Sequence, residues 1–217
     1  MDKKVLYNMT YGLYMLSSKS STKLSGCIID TCMQVANSPL QLAVSCMNGN
    51  YTCDIIKDSG LFTLSILDQT CTFPLICHFG YQSGRNVDKF QNLQILTDAN
   101  GLPFLIDQAC GVISCKVIEQ IDLGTHTMFI GEVMDTAKLS SYSPLTYSDY
   151  LSKIKPSKRE IETRVSANKR KIVGWKCRIC GYEYRGEKLP PDFECPMCGH
   201  PKEDFEPVYG AFCSEFA

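Results

Sequence analysis

Thirteen cysteines stand in this 217-residue chain, and four of them are spaced for chemistry. Cys177-Arg-Ile-Cys180-Gly and Cys195-Pro-Met-Cys198-Gly are two Cys-x-x-Cys turns, each followed by glycine, with fourteen residues between the pairs. One such turn lets two thiolates converge on an ion while backbone amides approach the sulfurs, and two turns together supply a tetrahedron. Zinc and iron both accept four thiolates, and spacing alone does not choose between them. The other nine cysteines are scattered, mostly in apolar runs such as Leu42-Ala43-Val44-Ser45-Cys46-Met47, where cysteine acts as a small hydrophobe. So many thiols point to a reducing cytoplasm in which oxygen is scarce.

A second set of residues is polar and sits at turns. Ser45 and Asn48-Gly-Asn50-Tyr-Thr52 precede a short helical pattern, and His78-Phe79-Gly80 is followed by Ser83-Gly-Arg85 and Lys89-Phe90. A helix N-terminus preceded by Asn, Gly and Thr can hold a phosphate through backbone amides and a hydroxyl, with Arg85 and Lys89 adding charge. The same residue types also serve as caps and turns. No Gly-x-Gly-x-x-Gly or phosphate-loop pattern occurs, and no Ser-His-Asp or paired-carboxylate constellation stands out. Asp30 and Asp122 have no acidic partner and suit solvated turns.

Behind these residues lies a mainly β pattern. Residues 5–140 alternate with period two in short runs: Gly12–Ser17, Gly26–Val35, Leu40–Met47, Leu61–Leu67, Gly111–Ile121 and Thr127–Met134. Short helices are expected at Tyr51–Asp58 and Thr70–Phe79, the second with Pro74 near its start. Many short strands manage their edges best by closing into a barrel. With 44 % hydrophobic and 21 % charged residues and no apolar run of spanning length, the composition excludes disordered, collagenous and bilayer-embedded chains.

Charge divides the chain. Residues 1–150 carry 9 Lys and Arg against 13 Asp and Glu, residues 151–172 carry 8 against 2, and residues 173–217 carry 5 against 8. A basic connector, 151–172, thus joins two acidic bodies, 1–150 and 173–217, and from Ser141 through Pro156 the chain's texture suits an exposed connection between domains. It lacks interleaved aromatics and its neighbours would repel phosphate, so a solvated linker touching acidic neighbours fits better than nucleic-acid binding. The roughly 40 residues beyond it cannot bury enough apolar surface to fold unaided, and the cysteine pairs are the staple.

The segment Trp175-Lys-Cys-Arg-Ile-Cys-Gly-Tyr182 … Leu189-Pro-Pro-Asp-Phe193-Glu-Cys-Pro-Met-Cys-Gly-His … Phe205 closely resembles rubredoxin, with a loop between the knuckles as short as in the rubredoxin-like module of rubrerythrin. The resemblance implies one iron held by Cys177, Cys180, Cys195 and Cys198. The first domain has its own resemblance. Gly26-Cys-Ile-Ile-Asp-Thr31, Ser38-Pro39, Asn48-Gly-Asn-Tyr-Thr52, His78-Phe-Gly80, Ser83-Gly-Arg85 and Gly124-Thr-His126 are similar, in this order, to the flavin reductase family. That implies a split β-barrel, usually a homodimer, binding FMN.

Carried over by position, Ile28, Ile29, Asp30 and Thr31 would line the flavin ring through main-chain contacts. Ser45, Asn48, Asn50 and Thr52 would hold ribityl and phosphate. Arg85 and Lys89 would assist the phosphate or the nicotinamide, with His78 and Phe79 near the ring. His126 would help position the nicotinamide, although Thr125 replaces the Asp of the family's Gly-Asp-His motif. The two domains in this order resemble the high-molecular-weight rubredoxins of anaerobic bacteria. The implied activity passes electrons from NADH or NADPH through FMN to iron, and then to an acceptor such as a flavodiiron oxygen or nitric oxide reductase or a rubrerythrin. Two other readings stay open: a module without its own nicotinamide site, and a flavin-binding barrel with a structural zinc ribbon.

Overall fold

The computed structural model describes residues 3–91, 93–157, 160 and 172–209. Most of the basic connector expected at 151–172 therefore lies outside the described residues. The chain divides into two units, Met1–Lys155 and Pro156–Ala217.

The first unit runs β1 (Tyr14–Lys19), β2 (Leu24–Ile29), β3 (Cys32–Asn37), β4 (Leu40–Met47), α1 (Tyr51–Ser59), β5 (Leu61–Leu67), α2 (Phe73–Gly80), β6 (Ile95–Thr97), β7 (Pro103–Leu105), β8 (Ala109–Asp122), β9 (His126–Lys138) and α3 (Tyr147–Asp149). Seven strands form one antiparallel sheet in the order β2-β1-β5-β8-β9-β4-β3. The two edge strands, β2 and β3, are consecutive in the chain, and only Asp30 and Thr31 join them. A two-residue connection forces the two edges of the sheet together, so the sheet curls into a barrel. The amide of Ser45 donates to Thr31 O at 3.2 Å and carries the β3–β4 ladder into this connection.

Inside, Leu16, Cys27, Ile29, Val44, Cys46, Phe62, Leu64, Cys115 and Phe129 pack with Cys53 and Ile56 of α1. The sulfurs of Cys27 and Cys46 meet at 3.8 Å across this core. Asn50 caps α1 by accepting from the Thr52 amide at 3.0 Å, and Gly60 ends it at φ +66°, a left-handed conformation that glycine adopts without strain.

Three expectations change. The run Gly26–Val35 is two strands, not one, because Asp30 and Thr31 turn the chain and Thr31 Oγ1 donates to Asp30 Oδ1 at 2.9 Å. The helix expected from Thr70 begins at Phe73, because the Asp68 carboxylate accepts from both the amide and the hydroxyl of Thr70 and holds that stretch as a turn. The stretch from Ser141 is not an exposed connection at its start. Leu145 and Tyr150 are buried, the Tyr147 amide donates to Tyr11 O, and the Tyr150 hydroxyl lies 3.3 Å from that of Tyr81.

The second unit holds a three-stranded sheet in the order β11-β10-β12, formed by β10 (Ile172–Cys177), β11 (Glu183–Arg185) and β12 (Phe205–Tyr209). Its core is Cys177, Cys180, Cys195 and Phe205, with Trp175, Tyr182, Leu189, Phe193 and Met197 packed around them. Among the described residues, no helix is long and apolar enough to cross a membrane.

Candidate functional site

The four knuckle cysteines converge. Cys180 and Cys195 sulfurs lie 3.4 Å apart and those of Cys177 and Cys198 3.7 Å apart, and all four sulfurs fall within 4.8 Å of one another. A tetrahedron with metal–sulfur bonds of about 2.3 Å has edges of about 3.8 Å, so these two separations are metal-sized and the four donors are already gathered around one point. Local geometry explains how the sequence builds it. In the two knuckles, Gly181 and Gly199 stand at φ +74° and +66°, and their amides donate to Cys177 O and Cys195 O at 2.8 Å. Glycine is the residue that takes these angles at no steric cost.

Burial pushes the Cys180 and Cys198 thiols up, and the amides of Tyr182, Met197 and His200, which face the sulfurs of Cys180, Cys195 and Cys198, respectively, work against it by bonding to the thiolate form. Rings shield the centre: Phe193 sits edge-on to Tyr184 at 4.8 Å and to Phe205 at 5.4 Å. Such a shell limits water and, with the amide bonds, sets the electronic character of a bound metal. Cys177, Cys180 and Cys195 are buried, while Cys198 is partly exposed.

In the first unit, the residues expected to meet a flavin separate into two groups. One group lies at the surface of the barrel. Because β2 ends the sheet, half of its amides and carbonyls point away from β1, as main-chain contacts from Ile28, Ile29, Asp30 and Thr31 would require. Ser45 is half-buried beside this edge, and its hydroxyl has no partner among the described residues. At the start of α1, the Arg85 guanidinium lies 4.9 Å over the Tyr51 ring and pairs with Asp54, while Lys23 Nζ lies 5.5 Å over the same ring and donates to Gly84 O. Two cations beside a helix N-terminus match the chemistry of a phosphate. Lys23 was not legible as a site residue, since it lies in no motif, and Tyr51, although inside the Asn48–Thr52 motif, carried no expected role.

The other group is used inside the fold. Lys89, expected at the phosphate or nicotinamide, is 2 % exposed, and its ammonium donates to Gly26 O at 2.8 Å and Phe79 O at 2.7 Å. Two carbonyls inside the unit hold the charge more firmly than a surface position would. Phe79 is fully buried, edge-on to Phe90 at 5.3 Å, so its ring faces the core and not a flavin. His78 Nε2 lies 2.6 Å from Lys89 O. The Thr52 hydroxyl is buried 2.9 Å from Ser25 Oγ, and the Asn50 carboxamide is spent on the helix cap. The Asn48 carboxamide is spent on the β8–β9 turn: Thr127 donates to its Oδ1 at 2.6 Å, and its Nδ2 donates to Gly124 O at 2.8 Å.

His126 opens β9 opposite Met47, with Nδ1 held 2.8 Å from Thr125 Oγ1. Burial lowers its pKa, and the nearby Asp30 carboxylate works against that shift. The β2–β3 turn and the β8–β9 turn therefore meet at one end of the barrel, which places Asp30, Ser45 and His126 together.

Comparison with known proteins agrees with this geometry. Residues 6–153 match the flavin reductase like domain family, and residues 175–206 match the rubrerythrin, rubredoxin-like domain family. The chain is 32 % identical to the high molecular weight rubredoxin of Moorella thermoacetica, across 96 % of this chain and 100 % of that one. It is 35 % identical to the ferric-chelate reductase (NAD(P)H) of Archaeoglobus fulgidus, across 69 % of this chain and 89 % of that protein. The solved flavin reductase PheA2 superposes with a TM-score of 0.56 at 27 % identity, covering 67 % of this chain and 93 % of its own. The chain belongs to the flavin reductase-like family and, over its whole length, to the high-molecular-weight rubredoxins. It is a flavin reductase-like oxidoreductase whose second, rubredoxin-like domain brings Cys177, Cys180, Cys195 and Cys198 together as a set that could hold a metal ion.

Proposed function

We propose that this chain takes electrons from NADH or NADPH into FMN, passes them to the single iron of its own second domain, and delivers them to an acceptor protein. A flavodiiron oxygen or nitric oxide reductase, or a rubrerythrin, suits that acceptor. The observation that carries the reading is a set of four thiolates with metal-sized edges on the same chain as a flavin reductase-like barrel. When bound, FMN accepts a hydride and releases electrons singly, which is what a one-electron iron centre requires.

The chain's own residues position the reactants. The open edge of β2 from Ile28 to Thr31 and the Ser45 hydroxyl contact the flavin ring and ribityl chain. Arg85, with Lys23, draws the phosphate to the start of α1, where Asn50 orders the first turn. His126 and its partner Thr125 meet the nicotinamide. Met33, Val35 and Leu40 on β3 and β4, with Ile118, Ile121 and Met134 on the β8–β9 hairpin, are apolar and exposed, which suits a homodimer. A reducing, oxygen-poor cytoplasm matches the seven free cysteines of the first unit, Cys27, Cys32, Cys46, Cys53, Cys71, Cys110 and Cys115.

An anaerobic visible spectrum, recorded with metal analysis before and after one equivalent of NADH or NADPH, tests the reading. Flavin bands and a ferric–thiolate band that both bleach, with one iron per chain, are expected. Flavin that neither nucleotide reduces would leave a module fed by another reductase, and zinc in place of iron would reduce the second domain to a structural or docking element.

A further inference from the structure

We propose that Asn48 is a positioning residue for His126, acting through the β8–β9 turn, and not a ligand of the flavin. The inference rests on the reading above, in which His126 meets the nicotinamide. Asn48 follows β4 directly, and Met47, its neighbour, is the cross-strand partner of His126. From there Asn48 grips the chain on both sides of the histidine. Its amide donates to Thr125 O at 3.0 Å, and its Nδ2 donates to Gly124 O at 2.8 Å and to Asp122 Oδ1 at 3.4 Å. On the far side, Thr127 Oγ1 donates to Asn48 Oδ1 at 2.6 Å.

The grip reaches the imidazole itself. Thr125, whose carbonyl Asn48 holds, is the residue whose hydroxyl lies 2.8 Å from His126 Nδ1. Within the turn, where Gly124 stands at φ +80°, the Leu123 amide donates to His126 O, the Thr125 amide to Leu123 O and the Gly124 amide to Asp122 Oδ1, and Asn48 ties this turn to the end of β4. Lys57 Nζ, 3.4 Å from Asn48 Oδ1, and the Cys53 thiol, 4.0 Å away, steady the carboxamide from α1. A carboxamide suits the place because it donates and accepts at once. A carboxylate would keep Thr127 and Lys57 but turn an acceptor toward Gly124 O and a like charge toward Asp122, and an aliphatic side chain would lose every side-chain bond and keep only that of the backbone amide to Thr125 O.

The test uses the full-length protein with Asn48→Ala and Asn48→Asp, each also combined with His126→Ala. For a residue that acts through His126, kcat/KM for the nicotinamide falls roughly tenfold while the FMN dissociation constant, read from flavin fluorescence, stays within about twofold. The loss disappears in the His126→Ala background, as coupled residues demand. A parallel loss of FMN affinity would make Asn48 a flavin ligand, and an undiminished loss in the double variants would uncouple it from His126; either result overturns the proposal.

The ring resonances of His126, one of only three histidines, give a readout that needs no nicotinamide. They shift in Asn48→Ala if the proposal holds and stay in place if it does not. A wild-type protein that neither nucleotide reduces would thus defeat the proposed function while the resonances still decide the role of Asn48. If the Asn48 variants do not fold, Thr127→Val removes the 2.6 Å bond together with the Thr127 contact to the Cys53 thiol, leaves the Nδ2 bonds of Asn48 in place, and is read in the same way.

Discussion

The ammonium of Lys89 donates to the carbonyl of Gly26 at 2.8 Å and thereby fastens the segment after α2 to β2, the edge strand of the sheet and the one proposed to meet the flavin. The same ammonium reaches Phe79 O near the end of α2, where a cation also meets the negative end of the helix. Lys89 therefore supports the site from within.

Replacing Lys89 with Met leaves two interior carbonyls without this donor and is expected to cost about 3 kcal/mol of stability. Arg85→Ala removes an exposed pair with Asp54 and costs less than about 1 kcal/mol, but weakens flavin binding. Urea denaturation alongside FMN titration separates the two, and an unchanged midpoint for Lys89→Met would contradict the interior role.

Cys180→Ser removes one of four metal ligands. The ferric–thiolate absorption is expected to vanish and the second domain to lose its fold, since its core consists largely of the ligands themselves. Reduction of the flavin by the nicotinamide should persist at near wild-type rate. Stripping the metal with a chelator under reducing conditions should have the same two effects, seen by circular dichroism and stopped-flow absorbance.

The imidazole of His126 should titrate below the ordinary histidine value, because burial disfavours its charged form. The Asp30 carboxylate favours the charged form, so Asp30→Asn should lower the midpoint further. The neutral ring is the form the fold prefers, so its contribution to stability is complete above about pH 6.5 and is lost as the pH falls through the unfolded and then the folded value. Histidine resonances followed from pH 5 to 8 measure both effects, and a midpoint that rises in Asp30→Asn would reverse the assigned sign.

Gly131 sits in β9 where a methyl group would lie 2.7 Å from Phe62 Cζ and 2.9 Å from Cys115 Cβ. Gly131→Ala should therefore overpack the barrel and cost about 1–3 kcal/mol, with the iron spectrum untouched. Thermal unfolding of the variant and the wild type gives the comparison.

The metal centre was almost fully legible from the amino-acid order. Two short turns that end in glycine carry their geometry locally, so the ligands, their pairing into knuckles and the glycine angles follow from neighbours in the chain. The strands Leu40–Met47 and Leu61–Leu67 were equally plain, because alternation of side chains is a local signal.

The flavin side was legible in its motifs and not in its contacts. Nothing in the pattern of Gly26–Val35 says that the chain turns at Asp30 and that the two halves become opposite edges of one sheet. Only barrel closure decides that. Nor does the type of a residue reveal that Lys89 points inward to two carbonyls, or that Asn48 and Thr52 spend their side chains on a turn and on Ser25. Lys23 and Arg85 are far apart in sequence, yet they share the ring of Tyr51. Sequence alone determines chemistry that neighbouring residues can build, whereas a hydrogen bond or ion pair between distant segments exists only once long-range strand pairing has brought its partners together.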